Sequence, residues 1–168
     1  MVNIRILPSL FTVGNLIFGI MSILYVLSEE YALSSIMIII SMILDVLDGR
    51  IARRFDVSSD FGKELDSLAD VVSFGVAPAI LLYTQVLSEY SGLGLAAILW
   101  FAVAGALRLA RFNVKTTKGY YQGLPITVAG SIIAVLSFMA NLIPSPVFLI
   151  CAAILGYLMI STIRIPKI

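Results

Sequence analysis

The sequence predicts an all-α integral membrane protein: six transmembrane helices in a compact bundle, forming a single domain over residues 1–168. Three observations predict it. Hydrophobic residues make up 60% of the chain and charged residues only 12%, against about 25% charged in a typical soluble domain. A soluble domain of this length could not hide that much apolar surface, because roughly half its side chains must face water. Apolar runs of roughly 20 residues, the length a helix needs to cross the hydrocarbon layer, recur along the chain. Finally, the basic residues all fall on one side of the pattern those runs create.

Residues 7–27 (LPSLFTVGNLIFGIMSILYVL) form the first span, and Pro8 suits its first turn. Residues 31–54 form the second, apolar in its first half and charged at its end. The third covers about 64–87, the fourth 92–114, the fifth 124–143 and the sixth 146–163. No backbone crosses lipid with its polar groups unpaired, so each span is expected to be helical. The connections at 28–30, 88–91 and 144–145 are very short, and Pro144 and Pro146 bracket the last. Gly92, Gly94, Ala96, Ala97, Ala102, Ala104, Gly105 and Ala106 give the fourth span small residues for close helix packing. Tyr90, Tyr120 and Tyr121 fit an interfacial aromatic belt, whereas Trp100 lies deeper.

The charges sort by side. Arg5 precedes the first span; Arg50, Arg53, Arg54 and Lys63 lie between the second and third. Arg108, Arg111, Lys115 and Lys118 surround the end of the fourth, and Arg164 and Lys167 follow the sixth. The opposite side carries Glu29, Glu30 and Glu89 and no Lys or Arg. By the positive-inside rule, both termini and the 45–70 stretch are expected on the cytoplasmic face of the cell membrane. Pro8 and Asn15 interrupt the first apolar run, which argues against a plain signal peptide.

Composition also excludes chemistries. The chain has no histidine, so imidazole catalysis and His-rich zinc sites are excluded. Its one cysteine, Cys151, permits neither an internal disulfide nor a CxxC pair. A metal would have to sit on oxygen ligands, which favours a hard divalent ion, Mg²⁺ or Mn²⁺. Nothing suggests a nucleic-acid partner.

The stretch 45–70, DVLDGRIARRFDVSSDFGKELDSLAD, holds most of the chain's ten acidic residues. Asp45 and Asp48 are three apart, Gly49 is four beyond Asp45 and Ala52 four beyond Asp48, so these share one helix face. Asp66 and Asp70 are four apart, with Gly62 four before Asp66, giving a second face of small and acidic residues. Residues 55–61 are polar enough to turn the chain between antiparallel helices. A charged side chain in a membrane helix costs about 2.5–3.5 kcal/mol at the centre, and carboxylates at this spacing repel. A cation between the faces offsets both. Gly49, Ala52 and Gly62 leave room for a bulky ligand, and Arg53 reaches an anionic group. Together these features suggest phosphate chemistry on one or two metals. Intramembrane carboxylates also mark proton relays and ion transporters, so transport and a non-catalytic membrane adaptor stay open at this point. Asp56, Asp60 and Glu64 are expected as solvated turn or surface charges.

The pattern Asp45-x-x-Asp48-Gly49-x-x-Ala52-Arg53, eight residues, then Gly62-x-x-x-Asp66-x-x-x-Asp70 resembles the signature of the CDP-alcohol phosphatidyltransferase family, with every fixed position filled. The resemblance implies that Asp45, Asp48, Asp66 and Asp70 are metal ligands and that Asp70 is the general base. It implies that Gly49, Ala52, Arg53 and Gly62 hold the cytidine nucleotide. The implied reaction is attack of an alcohol on the lipid-side phosphorus of a CDP-linked lipid (CDP-diacylglycerol or CDP-archaeol), releasing CMP. The resemblance also implies a homodimer.

Arg108, Arg111 and Lys115, at spacings of three and four, share a face near the acidic helices. They could snorkel to anionic membrane lipid or bind a substrate anion; with Asn113 they are expected to hold the acceptor or a lipid phosphate. The segments Arg108–Asn113, Leu7–Thr12 with Asn15, Leu16 and Gly19, and Gly123-Leu124-Pro125 resemble those of the phosphatidylserine synthases within this family. That points to L-serine as acceptor, whose carboxylate a guanidinium clamps with two bonds. Glycerol 3-phosphate and inositol phosphate also suit a basic pocket and remain the alternatives. Thr12 and Asn15, polar within the first span, either line the nucleotide site or bond to neighbouring helices.

Overall fold

A computed structural model describes residues 7–55, 59–114 and 120–166. Arg5, Asp56, Lys115, Lys118 and Lys167 lie outside the described residues, as do the side chains of Pro8, Tyr120, Tyr121 and Arg164. Helix α1 (Leu7–Leu27) and helix α2 (Tyr31–Phe55) are joined by a tight turn in which Glu29 takes φ 60°. Helix α3 (Asp60–Asp70) starts at Ser59, whose hydroxyl accepts the Gly62 N–H. Such a cap meets one of the N–H groups a helix start leaves unpaired. The Lys63–Asp60 ion pair on this first turn is solvent-exposed and adds little.

After Asp70 the helix widens into a π turn, Val71–Val76, before α4 (Ala77–Gln85). Pro78 accounts for it. Proline has no N–H to give the Phe74 carbonyl, and its ring crowds that carbonyl. The helix relaxes into wider i→i+5 bonding, with the Ala77 N–H on the Val72 carbonyl. The Phe74 carbonyl then lies against Gly130, where a Cβ would come within 2.6 Å of its oxygen. Only glycine lets the helix that carries it, Ile126–Ser137, pack this closely. A short 3₁₀ turn (Leu87–Tyr90) leads into α5 (Ser91–Val114).

Helices α6 (Ile126–Ser137) and α7 (Ser145–Ile160) complete the bundle. Beside them lies a feature the sequence does not announce: strand β1 (Tyr120–Gln122) pairs antiparallel with strand β2 (Arg164–Pro166). The ribbon ends at Gly123, whose φ of 74° suits glycine. Its neighbour Leu124 donates its N–H to the Leu158 carbonyl at 3.0 Å. That satisfies a carbonyl at the C-terminal end of α7, where helices leave acceptors unpaired.

The architecture is all-α and multi-pass. Among the described residues, four helical stretches are long and apolar enough to cross a membrane: Ser9–Leu27, Tyr31–Phe55, Asp60–Gln85 and Leu87–Val114. Helices α6 and α7 are apolar but shorter; α6 gives way at Ser137 to successive turns running to Ile143. The core centres on Phe74, Phe101 and Phe148, with Ile126, Ile133 and Met159 around them, all fully buried. Large apolar side chains stay on the outside, including Leu99, Val103 and Leu107 on α5 and Ile150, Ile154 and Tyr157 on α7. A helix apolar on its outer face as well as its inner one is suited to lipid.

Candidate active site

Helix α1 carries no acidic residue, yet it organises those of its neighbours, packing along both α2 and α3. Thr12 donates to Asp48 Oδ2 at 2.9 Å, and Asn15 Nδ2 donates to Asp70 Oδ1 at 3.2 Å. The two readings open for Thr12 and Asn15 therefore merge. Both bond to neighbouring helices, and what they bond to is the acidic cluster.

One carboxylate oxygen from each of Asp45, Asp48 and Asp66 lies within 4.8 Å of the others. At an effective dielectric near 20, each pair of charges at that distance repels by about 3 kcal/mol. Asp66 Oδ1 is buried with no hydrogen-bond partner among the described residues. A divalent cation fits this trio: the donors are all hard oxygens, they lie close enough to share one ion, and one of them has no other partner. Asp70 stands outside the trio. It is 6% exposed, bonded to Asn15, and it lines the cavity next to the trio.

That cavity has a volume of about 370 Å³. Asp45, Asp66 and Asp70 form its acidic wall, and Arg108, Leu109, Phe112 and Asn113 enter from α5. Lys63 and Ser67 of α3 line it too, with Pro125 and Thr127 at the start of α6. Arg108 is only 7% exposed, its guanidinium 5.7 Å from the centre of the Phe112 ring, a cation–π geometry. Asn113 Nδ2 donates to Ser67 Oγ at 3.0 Å, tying the end of α5 to α3.

The expected basic face divides. Arg108 lines the cavity, whereas Arg111 Nη1 donates to the Ile160 carbonyl at 2.8 Å and does not line it. The two lie about 60° apart around the helix at 100° per residue, enough for one to face the cavity and the other the end of α7. Lys115 lies outside the described residues.

The four expected nucleotide residues also sit off this cavity. Gly49, Ala52 and Arg53 occupy the last turns of α2, and Gly62 the first turn of α3. A side chain at Gly49 would meet nothing within 4 Å, so this flank is open. Arg53 is exposed and donates Nε to the Gly49 carbonyl at 3.1 Å. Gly62 serves the α3 cap.

Sequence reasoning missed Lys63, Ser67 and Thr127 as lining residues. The signal for two of them was present: Lys63 and Ser67 each stand three residues before an aspartate of the second acidic face. Thr127 had no comparable signal.

The CDP-alcohol phosphatidyltransferase family model matches residues 5–164. The CDP-diacylglycerol–serine O-phosphatidyltransferase of Helicobacter pylori is 39% identical over 169 residues, covering 95% of this chain and 71% of that protein. That of Bacillus subtilis is 38% identical over 162 residues, covering 95% of this chain and 89% of its own. That of Methanocaldococcus jannaschii is 45% identical over 156 residues, covering 93% and 71%. With an acidic signature on two helices that meet, and a family model spanning nearly its whole length, the chain belongs to the CDP-alcohol phosphatidyltransferase family.

Proposed function

We propose that this chain transfers the phosphatidyl group of a CDP-linked lipid to the hydroxyl of L-serine, releasing CMP. The observation that carries this reading is the cavity lined by Asp45, Asp66, Asp70 and the buried Arg108. The relatives are themselves named serine phosphatidyltransferases.

Placement supports a role for each residue. Asp45, Asp48 and Asp66 hold the divalent ion, read here as Mg²⁺ or Mn²⁺. Such an ion supplies charge neutralisation for the pyrophosphate and for the departing CMP. Asp70, outside the trio, keeps its carboxylate available to accept the proton of the serine hydroxyl as that oxygen attacks phosphorus. Arg108 takes the serine carboxylate, and Ser67 and Asn113 offer oxygen acceptors for its ammonium. Gly49, Ala52 and Gly62 are the small residues beside the trio, with open space at Gly49 for the nucleotide and Arg53 at the rim. Glycerol 3-phosphate and inositol phosphate carry a dianion and no ammonium, and suit this wall of carboxylates less well.

The finer topology belongs to the same reading. Helices α6 and α7, with the turns to Ile143, make the fifth and sixth crossings of one domain. The one-sided distribution of Lys and Arg supports a cytoplasmic site and cytoplasmic termini. The family resemblance supports a homodimer.

Purified protein given CDP-diacylglycerol, Mn²⁺ or Mg²⁺, and each acceptor separately is expected to release CMP with serine. Turnover only with a phosphorylated acceptor would show the acceptor assignment wrong. Arg108→Gln is expected to raise the serine KM by about 10- to 100-fold, the loss of one charged hydrogen bond. The KM for CDP-diacylglycerol should move far less; an equal rise in both would place Arg108 on the lipid phosphate instead.

A further inference from the structure

Asn15 is fully buried in α1, and its side chain has one partner among the described residues: Asp70. Its Oδ1 is buried with no hydrogen-bond partner among them. The amide orientation is set by chemistry, since turning Oδ1 toward a carboxylate would oppose two acceptors. A buried asparagine can bond through both ends of its amide. This one directs its donor at the group read as the base.

The backbone of the same residue ties the two acidic helices together. The Asn15 carbonyl accepts Ser41 Oγ at 3.0 Å and Ser73 Oγ at 3.0 Å. Ser41 lies one helical turn before Asp45, on the same face of α2, and Ser73 lies three residues beyond Asp70, in the π turn. Each acidic pair thus has a hydroxyl about one turn away, and both hydroxyls bond to the same oxygen. The glycine at position 19 makes this possible, because a Cβ there would collide with Ser73 Oγ and crowd its Cα. A three-way junction at Asn15 therefore fixes where α2 and α3 sit relative to each other, while its amide fixes one oxygen of Asp70.

We propose that Asn15 is a positioning residue for the transfer. Its amide holds the Asp70 carboxylate in the orientation that receives the acceptor proton, and its carbonyl sets Asp70 in register with the carboxylate trio. Substrate itself need not touch Asn15.

The inference rests on the phosphatidyl-transfer reading, and wild-type turnover tests that reading separately: no serine-dependent CMP from the wild type would overturn the function. For Asn15, the comparison is Asn15→Leu against Ser22→Ala. Ser22, on the same face of α1 as Asn15, bonds to Ser34 of α2, away from the acidic cluster. Both variants are measured for thermal unfolding in detergent, for CMP affinity by calorimetry, and for kcat and KM. Asn15→Leu should lower kcat by about 100-fold, within the range of lost proton-transfer catalysis, with CMP affinity and both KM values within about threefold. Ser22→Ala should lower the unfolding temperature and keep kcat within about twofold of wild type. An Asn15→Leu kcat near wild type would overturn the proposal. So would a loss of CMP affinity in parallel with kcat, which would make Asn15 a substrate ligand or a general scaffold. If Asn15→Leu does not fold, Asn15→Ser, which adds no bulk, is read by the same criteria.

Discussion

Asp66→Asn is expected to lower CMP release by about 10²–10³-fold, the loss that follows removal of one group stabilising transition-state charge, and to raise the unfolding temperature of the metal-free protein. The two signs have one cause. Asp66 contributes an oxygen to a trio packed within 4.8 Å, and its Oδ1 has no hydrogen-bond partner among the described residues. Without an ion this arrangement is repulsive by about 3 kcal/mol per pair at an effective dielectric near 20. An amide of the same shape relieves two of those repulsions and forfeits the ligand. Stability given up to keep a functional site is the usual trade-off. Unfolding with and without Mn²⁺ separates the effects: the wild type should gain stability from the ion, and Asp66→Asn should gain much less. A metal-free variant less stable than wild type would show that Asp66 is a structural partner rather than a ligand.

Asp70→Asn is expected to behave differently. Its kcat should fall by roughly 10²–10⁴-fold, the range for loss of a general base. The KM for CDP-diacylglycerol and the stabilisation by Mn²⁺ should stay close to wild type, because Asp70 stands outside the trio. The fold should survive, since an asparagine at 70 can still present an oxygen to Asn15 Nδ2. Lost stabilisation by Mn²⁺ would place Asp70 among the metal ligands, as the family resemblance implies, and would remove the case for a separate base.

The acidic cluster was legible because helical spacing is local. Asp45 and Asp48, then Asp66 and Asp70, share faces by arithmetic at 100° per residue, and the cost of charge in lipid requires those faces to meet something. The long spans were legible for the same reason. What was not legible depends on neighbours distant in the chain. Arg108 and Arg111 look equivalent in sequence, but only the packed bundle puts the cavity beside one and the end of α7 beside the other. The apolar run from 124 to 143 gives no sign that α6 gives way at Ser137. The ribbon between Tyr120–Gln122 and Arg164–Pro166 joins segments separated by two helices. The π turn is an intermediate case: Pro78 in an apolar run signals a disturbance, but not that the helix would widen just after Asp70. Thr12 and Asn15 were visible as misplaced polar residues in α1. That their partners are two of the site's own carboxylates follows only from three helices converging.

The most direct test is a CMP-release assay on the purified chain in detergent, with CDP-diacylglycerol and Mn²⁺, in the presence and absence of L-serine. Serine-dependent CMP, matched one for one by a serine-containing phospholipid and lost in Asp66→Asn, is the predicted result. CMP formed at the same rate without serine, or only with glycerol 3-phosphate or inositol phosphate, would contradict it.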